Sequence, residues 1–132
     1  MRGREDVNKK DDCMMNKLSI IIPLFNEEEA IPYLYNRLIK VAEKIDNYDL
    51  EFLFVNDGSK DSSLNLIKEY KKSDDRITYL SLSRNYGKEI AMKAAIDYVN
   101  SDVVVIMDAD LQHPPELILE MLKFYQMGYD DV

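Results

Sequence analysis

From Lys17 onward, short runs of β-branched and apolar residues alternate with longer stretches in which apolar residues return every three or four positions. That alternation is the pattern of an α/β domain. Leu18–Ile22 is a first strand whose nearly unbroken apolarity predicts burial on both faces, as in a parallel sheet. A helix is predicted over 28–45, where Ile31, Leu34, Leu38, Val41 and Ile45 form one stripe. Leu50–Val55 is a second strand. The following helix, 62–72, carries Leu64, Ile67 and Tyr70 on one face behind Asp61 as its N-cap. Ile77–Leu82 is a third strand, and a helix over 88–98 offers Ile90, Ala91, Ala94, Ala95 and Tyr98 as its inner face. Val103–Met107 is a fourth strand, expected at the centre of the sheet. Pro115 suits the first turn of a last helix, with Leu117, Ile118, Met121, Leu122 and Tyr125 as its stripe and Gly128 as its C-terminal cap. Tyr129–Val132 reads as the start of a further strand cut short, so the chain is expected to be a truncated piece of a longer domain.

Composition narrows the partners. At 132 residues the chain has room for one domain: a polar, mobile tail over 1–16 and a folded unit over 17–132. A formal charge of −8 with no dense Lys/Arg cluster argues against nucleic acid and anionic lipid surfaces. An acidic protein that handles a phosphate-bearing substrate needs a divalent cation between the like charges. Cys13 is the only cysteine, which excludes an intrachain disulfide and fits a reducing, cytoplasmic setting. The apolar stretch at 18–22 is far too short to span a bilayer.

Chemistry gathers behind the strands. In an open parallel sheet every βα loop opens on the carboxyl edge, where ligands bind. The segments that follow the four strands are Pro23-Leu24-Phe25-Asn26-Glu27, Asn56-Asp57-Gly58-Ser59, Ser83-Arg84-Asn85-Tyr86-Gly87-Lys88 and Asp108-Ala109-Asp110. Taken singly, the Asn-Asp-Gly-Ser segment reads as a turn and the acids after Asn26 as complements to a helix N-terminus. Asp108 and Asp110 are harder to explain structurally, because side chains two apart on an extended segment point the same way and repel. A cation removes that repulsion. Oxygen donors without thiolates favour Mg²⁺ or Mn²⁺, with Gln112 available to complete the coordination, and Arg84 and Lys88 suit a diphosphate on the same edge. His113, beside Pro114-Pro115, reads at least as well as a loop residue as a catalytic one.

Four stretches together, IIIPLFNEEEAI at 20–31, FVNDGSKDSS at 54–63, LSRNYGKEIAMKAAIDY at 82–98 and VIMDADLQHPPE at 105–116, resemble family 2 glycosyltransferases. The resemblance is to the polyprenyl-phosphate branch, related to dolichyl-phosphate mannose synthase and bactoprenol glucosyltransferase. It implies the Rossmann-like, nucleotide-binding half of a GT-A fold: a mostly parallel open sheet with helices on both faces. Carried over by position, it implies that Pro23, Asn26 and Glu27 line the nucleotide pocket and that Asp57 hydrogen-bonds the base. It places Asp108 near the ribose or the metal, makes Asp110 the principal metal ligand and catalytic residue, adds Gln112 to the metal site, and sets Arg84 and Lys88 near the donor. The implied reaction transfers a hexose, with inversion, from a UDP- or GDP-sugar to a polyprenyl phosphate at the cytosolic membrane face.

The partners expected are therefore a nucleotide diphosphate sugar and, through the missing half, a lipid phosphate; self-association stays open. Two alternatives also stand at this point: a non-catalytic nucleotide-sugar-binding fragment, and a Mg²⁺-dependent phosphotransfer domain. The second fits less well, since its nucleophilic acid would follow the first strand, where this chain has Asn26-Glu27.

Overall fold

The computed structural model describes residues 16–107 and 115–126. Strands β1 (Asn16–Leu24), β2 (Tyr48–Asn56), β3 (Ile77–Ser81) and β4 (Val103–Ile106) alternate with helices α1 (Ile31–Ala42), α2 (Ser63–Ser73), α3 (Lys88–Tyr98) and α4 (Leu117–Gln126). All strand pairs are parallel, in the order β3-β2-β1-β4. The chain steps outward from β1 to β2 to β3, then returns past β1 to place β4. Because crossovers are right-handed, the reversal of direction puts the connecting helices on opposite faces.

The two faces follow from strand periodicity. Leu18, Ile20, Ile22 and Leu24 of β1 share one face with Phe52 and Phe54 of β2, Ile77 of β3 and Val103 and Val105 of β4, and this face packs against α1, α2 and α4. Ile21, Leu53 and Val55 point the other way, onto Ala91 and Ala95 of α3. The predicted open parallel sheet with helices on both faces is the observed architecture.

Three expectations need correction. First, α1 begins at Ile31, not 28, because Glu27–Ala30 forms a turn in which the Glu27 carbonyl accepts the N–H groups of Ala30 and Ile31. Second, α3 meets the sheet through a narrow Ala91–Ala95 seam, which leaves Ile90 and Tyr98 about half exposed, at 52% and 53%. Third, β4 is an edge strand of the described sheet and not a central one, with Val104 and Ile106 each 40% exposed. Asn16, assigned to the tail, pairs with Tyr48 in β1. The rest of that tail, the Gly128 cap and the Tyr129–Val132 strand lie outside the described residues.

The alanine seam gives a direct test. Ala91→Leu forces a larger side chain between α3 and Ile21, and is expected to cost about 1–3 kcal/mol in chemical denaturation. Ile90→Ser, one residue away on the exposed side, should stay within about 0.5 kcal/mol.

Candidate functional site

The sheet order reverses between β1 and β4, so their carboxyl ends flank the topological switch point, where open α/β sheets bind ligands. Pairing of the two strands stops there: the last matched residues are Ile21 and Ile106, and Met107 N–H still reaches the Ile21 carbonyl at 3.0 Å. In a parallel ladder alternate residues turn their main chain to the same neighbour. Pro23 therefore faces the β4 side, and it has no N–H to offer the next rung. The proline lets β1 run on beside β2, with Pro23 opposite Val55, while its bonding to β4 ends.

Two loops cross-brace at this edge. β1 and β2 finish in register, Leu24 opposite Asn56, so the segments after them lie side by side. Asn26, at φ +54, donates its N–H to Ser59 Oγ (2.9 Å) and accepts Lys60 N–H on Oδ1 (2.8 Å). The left-handed backbone is one that Asn tolerates better than most residues. Glu27 N–H donates to Ser63 Oγ at 2.9 Å, Glu28 N–H to Asp61 Oδ2 at 3.2 Å, and Ser62 N–H to Glu28 Oε1 at 2.8 Å. Asp61 also accepts Ser63 N–H (2.9 Å), so it serves the start of α2 from one position before the Ser62 N-cap. Burial opposes its ionisation, but the bonds from Ser63 and Glu28 outweigh it and hold the Asp61 carboxyl below its ordinary range.

The third loop is held by Asp57. This buried carboxylate accepts Tyr86 N–H on Oδ1 at 2.8 Å and Gly87 N–H on Oδ2 at 3.0 Å, while its own N–H donates to the Leu24 carbonyl at 2.9 Å. The Arg84 guanidinium lies 5.1 Å from the centre of the Tyr86 ring. Gly87, at φ +100, precedes Lys88, the first residue of α3.

Pro23, Asn26, Glu27, Asp57, Arg84 and Lys88 thus all stand at the carboxyl edge, on three adjoining segments. Asp108, Asp110, Gln112 and His113 lie outside the described residues; Asp108 is the next residue in the chain after Met107, on the β4 side of the switch point. Among the described residues no group of three or more His, Cys, Asp or Glu side chains is placed to hold a metal ion, and no helix is long and apolar enough to cross a membrane. Sequence reading missed the brace formed by Glu28, Ser59, Asp61 and Ser63. Its only signal was two polar segments behind strands that pair in register.

The most displaced pKa values lie at the opposite, amino edge. Asp74, buried before β3, accepts Arg76 Nε and Nη2 at 2.9 Å each and the Tyr35 hydroxyl at 2.7 Å. The Arg76 bonds come first in pulling Asp74 down to about 2, and burial followed by the ionised Asp74 raises Tyr35 to about 12. Tyr70 stacks on Tyr35 with ring centres 4.2 Å apart. A cavity of about 320 Å³ between Lys44, Tyr48, Leu122 and Lys123 is also at that amino edge. Neither feature adjoins the loops behind the strands.

A parallel sheet in 3-2-1-4 order, with its polar loops converging on the switch point, defines a nucleotide-binding α/β half-domain. Residues 19–132 match the sequence model of glycosyl transferase family 2, and the chain belongs to that family. It is 46% identical over 115 residues to the uncharacterized glycosyltransferase YkcC of Bacillus subtilis (strain 168), covering 86% of this chain and 35% of that protein. It is 40% identical over 116 residues to the prophage bactoprenol glucosyl transferase homolog of Escherichia coli (strain K12), covering 88% and 38%. The chain therefore spans little more than a third of the length of these relatives.

Two solved structures share the fold. The mannosyltransferase PcManGT from Pyrobaculum calidifontis, in complex with GDP-Man and Mn²⁺, has a TM-score of 0.67 at 21% identity over 80% of this chain and 31% of its own. TarS 1-349 of S. aureus, in complex with UDP-GlcNAc, has a TM-score of 0.67 at 24% identity over 84% of this chain and 31% of its own. The GT-A architecture implied by the resemblance is the one the chain adopts.

Proposed function

We propose that this chain is the donor-binding part of a metal-dependent, inverting hexosyltransferase that takes its sugar from a UDP- or GDP-sugar and delivers it to a polyprenyl phosphate at the cytosolic face of a membrane. The observation that carries the reading is the convergence of the strand-end loops on the β1–β4 switch point in a family 2 chain. Names among the relatives point to a bactoprenol-type acceptor, and the shared fold in PcManGT and TarS accommodates GDP-Man and UDP-GlcNAc.

In this reading Pro23, Asn26 and Glu27 form one wall of the nucleotide pocket, and Arg84 and Lys88 supply the positive charge that an acidic domain otherwise lacks near a diphosphate. Asp108, Asp110 and Gln112 form an all-oxygen donor set suited to Mg²⁺ or Mn²⁺, whose chemistry is to stabilise the charge that develops on the departing nucleoside diphosphate. A phosphate acceptor is already ionised at neutral pH and needs positioning more than deprotonation. That positioning belongs to the part of the relatives' length which this chain does not span.

Titration calorimetry with UDP-glucose and GDP-mannose, with Mn²⁺ and again with chelator, tests the proposal. One of the two should bind with Mn²⁺ and lose at least about tenfold in affinity without it, as expected for a cation bridging like charges. No binding of either would remove the donor-site reading. The 132-residue chain alone should form no lipid-linked hexose, and robust product from it would contradict the assignment of the acceptor site to the remaining length.

A further inference from the structure

Asp57 carries a consequence that differs from the base contact implied by the family resemblance. Its side chain belongs to a residue only 4% exposed, and each carboxylate oxygen already accepts a main-chain N–H of the next loop, from Tyr86 and Gly87. The same loop lies directly on Gly58. That residue has φ +73, and a Cβ built there would collide with the Arg84 carbonyl carbon and the Asn85 nitrogen. Arg84 is thus held from both sides: its backbone rests on Gly58, and its guanidinium lies over the ring of Tyr86, whose N–H is bound to Asp57. The Tyr86 hydroxyl is in turn 3.2 Å from Ser83 Oγ. A buried carboxylate with two amide partners fixes a loop firmly, because charge-assisted bonds to main chain are among the stronger ones available.

We propose that Asp57 is a positioning residue that acts on the donor through this loop, by setting the place of Arg84, and not chiefly by reading the base. The proposal rests on the donor-site reading above, since Arg84 has a diphosphate to meet only if a nucleotide binds here. It predicts that loss of the Asp57 carboxylate weakens binding of the phosphate part of the ligand whatever base is attached.

The test uses three probes with Mn²⁺: UDP, GDP and inorganic pyrophosphate, which has no base to read. In Asp57→Asn, one of the two acceptors becomes an amide donor facing an N–H. Amide exchange at Tyr86 and Gly87, followed by NMR, should speed up at least about tenfold while β1 and β2 amides stay unchanged. Affinity for pyrophosphate and for whichever nucleotide binds should fall by the same factor, on the order of tenfold. In an Arg84→Ala background, Asp57→Asn should cost less than about twofold more, because both changes remove one contribution. Gly58→Ala, which displaces the loop and leaves the carboxylate intact, should reproduce the loss.

Unchanged exchange at Tyr86 and Gly87, a loss confined to nucleotides while pyrophosphate binding is retained, or losses that multiply with Arg84→Ala would each overturn the positioning role. Failure of the unsubstituted chain to bind any probe would instead overturn the donor-site reading itself, a result distinct from those three.

Discussion

Asp110→Ala is expected to lower the Mn²⁺-supported affinity for the nucleotide sugar by at least about a hundredfold, comparable to removing a preorganised charge-stabilising group from an active site. The argument runs through charge. The domain carries −8 formally, and a diphosphate placed beside Asp108 without a cation meets a like charge. A single carboxylate with Gln112 is a poor substitute for a paired site, so the ion and the ligand should be lost together. The thermal midpoint should move by no more than about 4 °C, as for a substitution outside the core. Calorimetry and a melting curve on the same sample separate a lost site from a lost fold. Unchanged Mn²⁺-dependent affinity would remove Asp110 from the metal site.

The largest effect on stability is expected at the other edge. Asp74→Ala should cost about 3 kcal/mol, the lower end for breaking a buried pair, since the Arg76 side chain is 39% exposed and can turn to water. The Tyr35 hydroxyl, by contrast, is left buried without its acceptor.

The same group predicts a pH dependence. Asp74 is held at about 2 in the fold against an ordinary 3.8. Its folded pKa is the lower one, so its contribution is fully present above about 4 and is lost as pH falls toward 2, a difference of about 2 kcal/mol. Tyr35 is raised from 10.0 to about 12, so its share is present below 10 and disappears as pH rises through 12. The two share one hydrogen bond and their contributions do not add. Denaturant midpoints of the unsubstituted chain and of Asp74→Asn at pH 6 and pH 2.5 should converge at the acid end. A constant gap between them would contradict the assignment.

What the sequence revealed follows from how local each signal is. Strands such as Ile20-Ile21-Ile22 and Phe52-Leu53-Phe54 were legible because burial on two faces leaves an unbroken apolar run. The start of α1 was not, because the turn over Glu27–Ala30 is braced by Ser63 and Asp61, more than thirty residues away. The inner face of α3 was drawn too wide, since periodicity counts Ile90 and Tyr98 as apolar without showing that the sheet is met through two alanines. β4 read as central because its run of apolar residues does not show which of its sides has a neighbour.

At the site, the six predicted positions that fall within the described residues all reached one edge, because strand-end placement follows from topology. The partners of Asp57 were invisible for a different reason: they are main-chain N–H groups, which leave no mark in side-chain identity. Asp74 and Arg76 looked like solvated charges because nothing local shows that Tyr35 closes over them.

The central position of β1 also bears on how the crevice is assembled. β1 meets β2 along nine paired positions across a separation of 32 residues, but meets β4 along only four, across a separation of 85. Closing the longer loop costs about 0.9 kcal/mol more in chain entropy, with fewer than half the rungs to offset it. The β3-β2-β1 unit, with its braced loops, can therefore form as a stable nucleus before β4 docks. The two walls of the crevice then have unequal standing: a firm one that carries Asn26, Asp57 and Arg84, and a late-joining one that brings the acids.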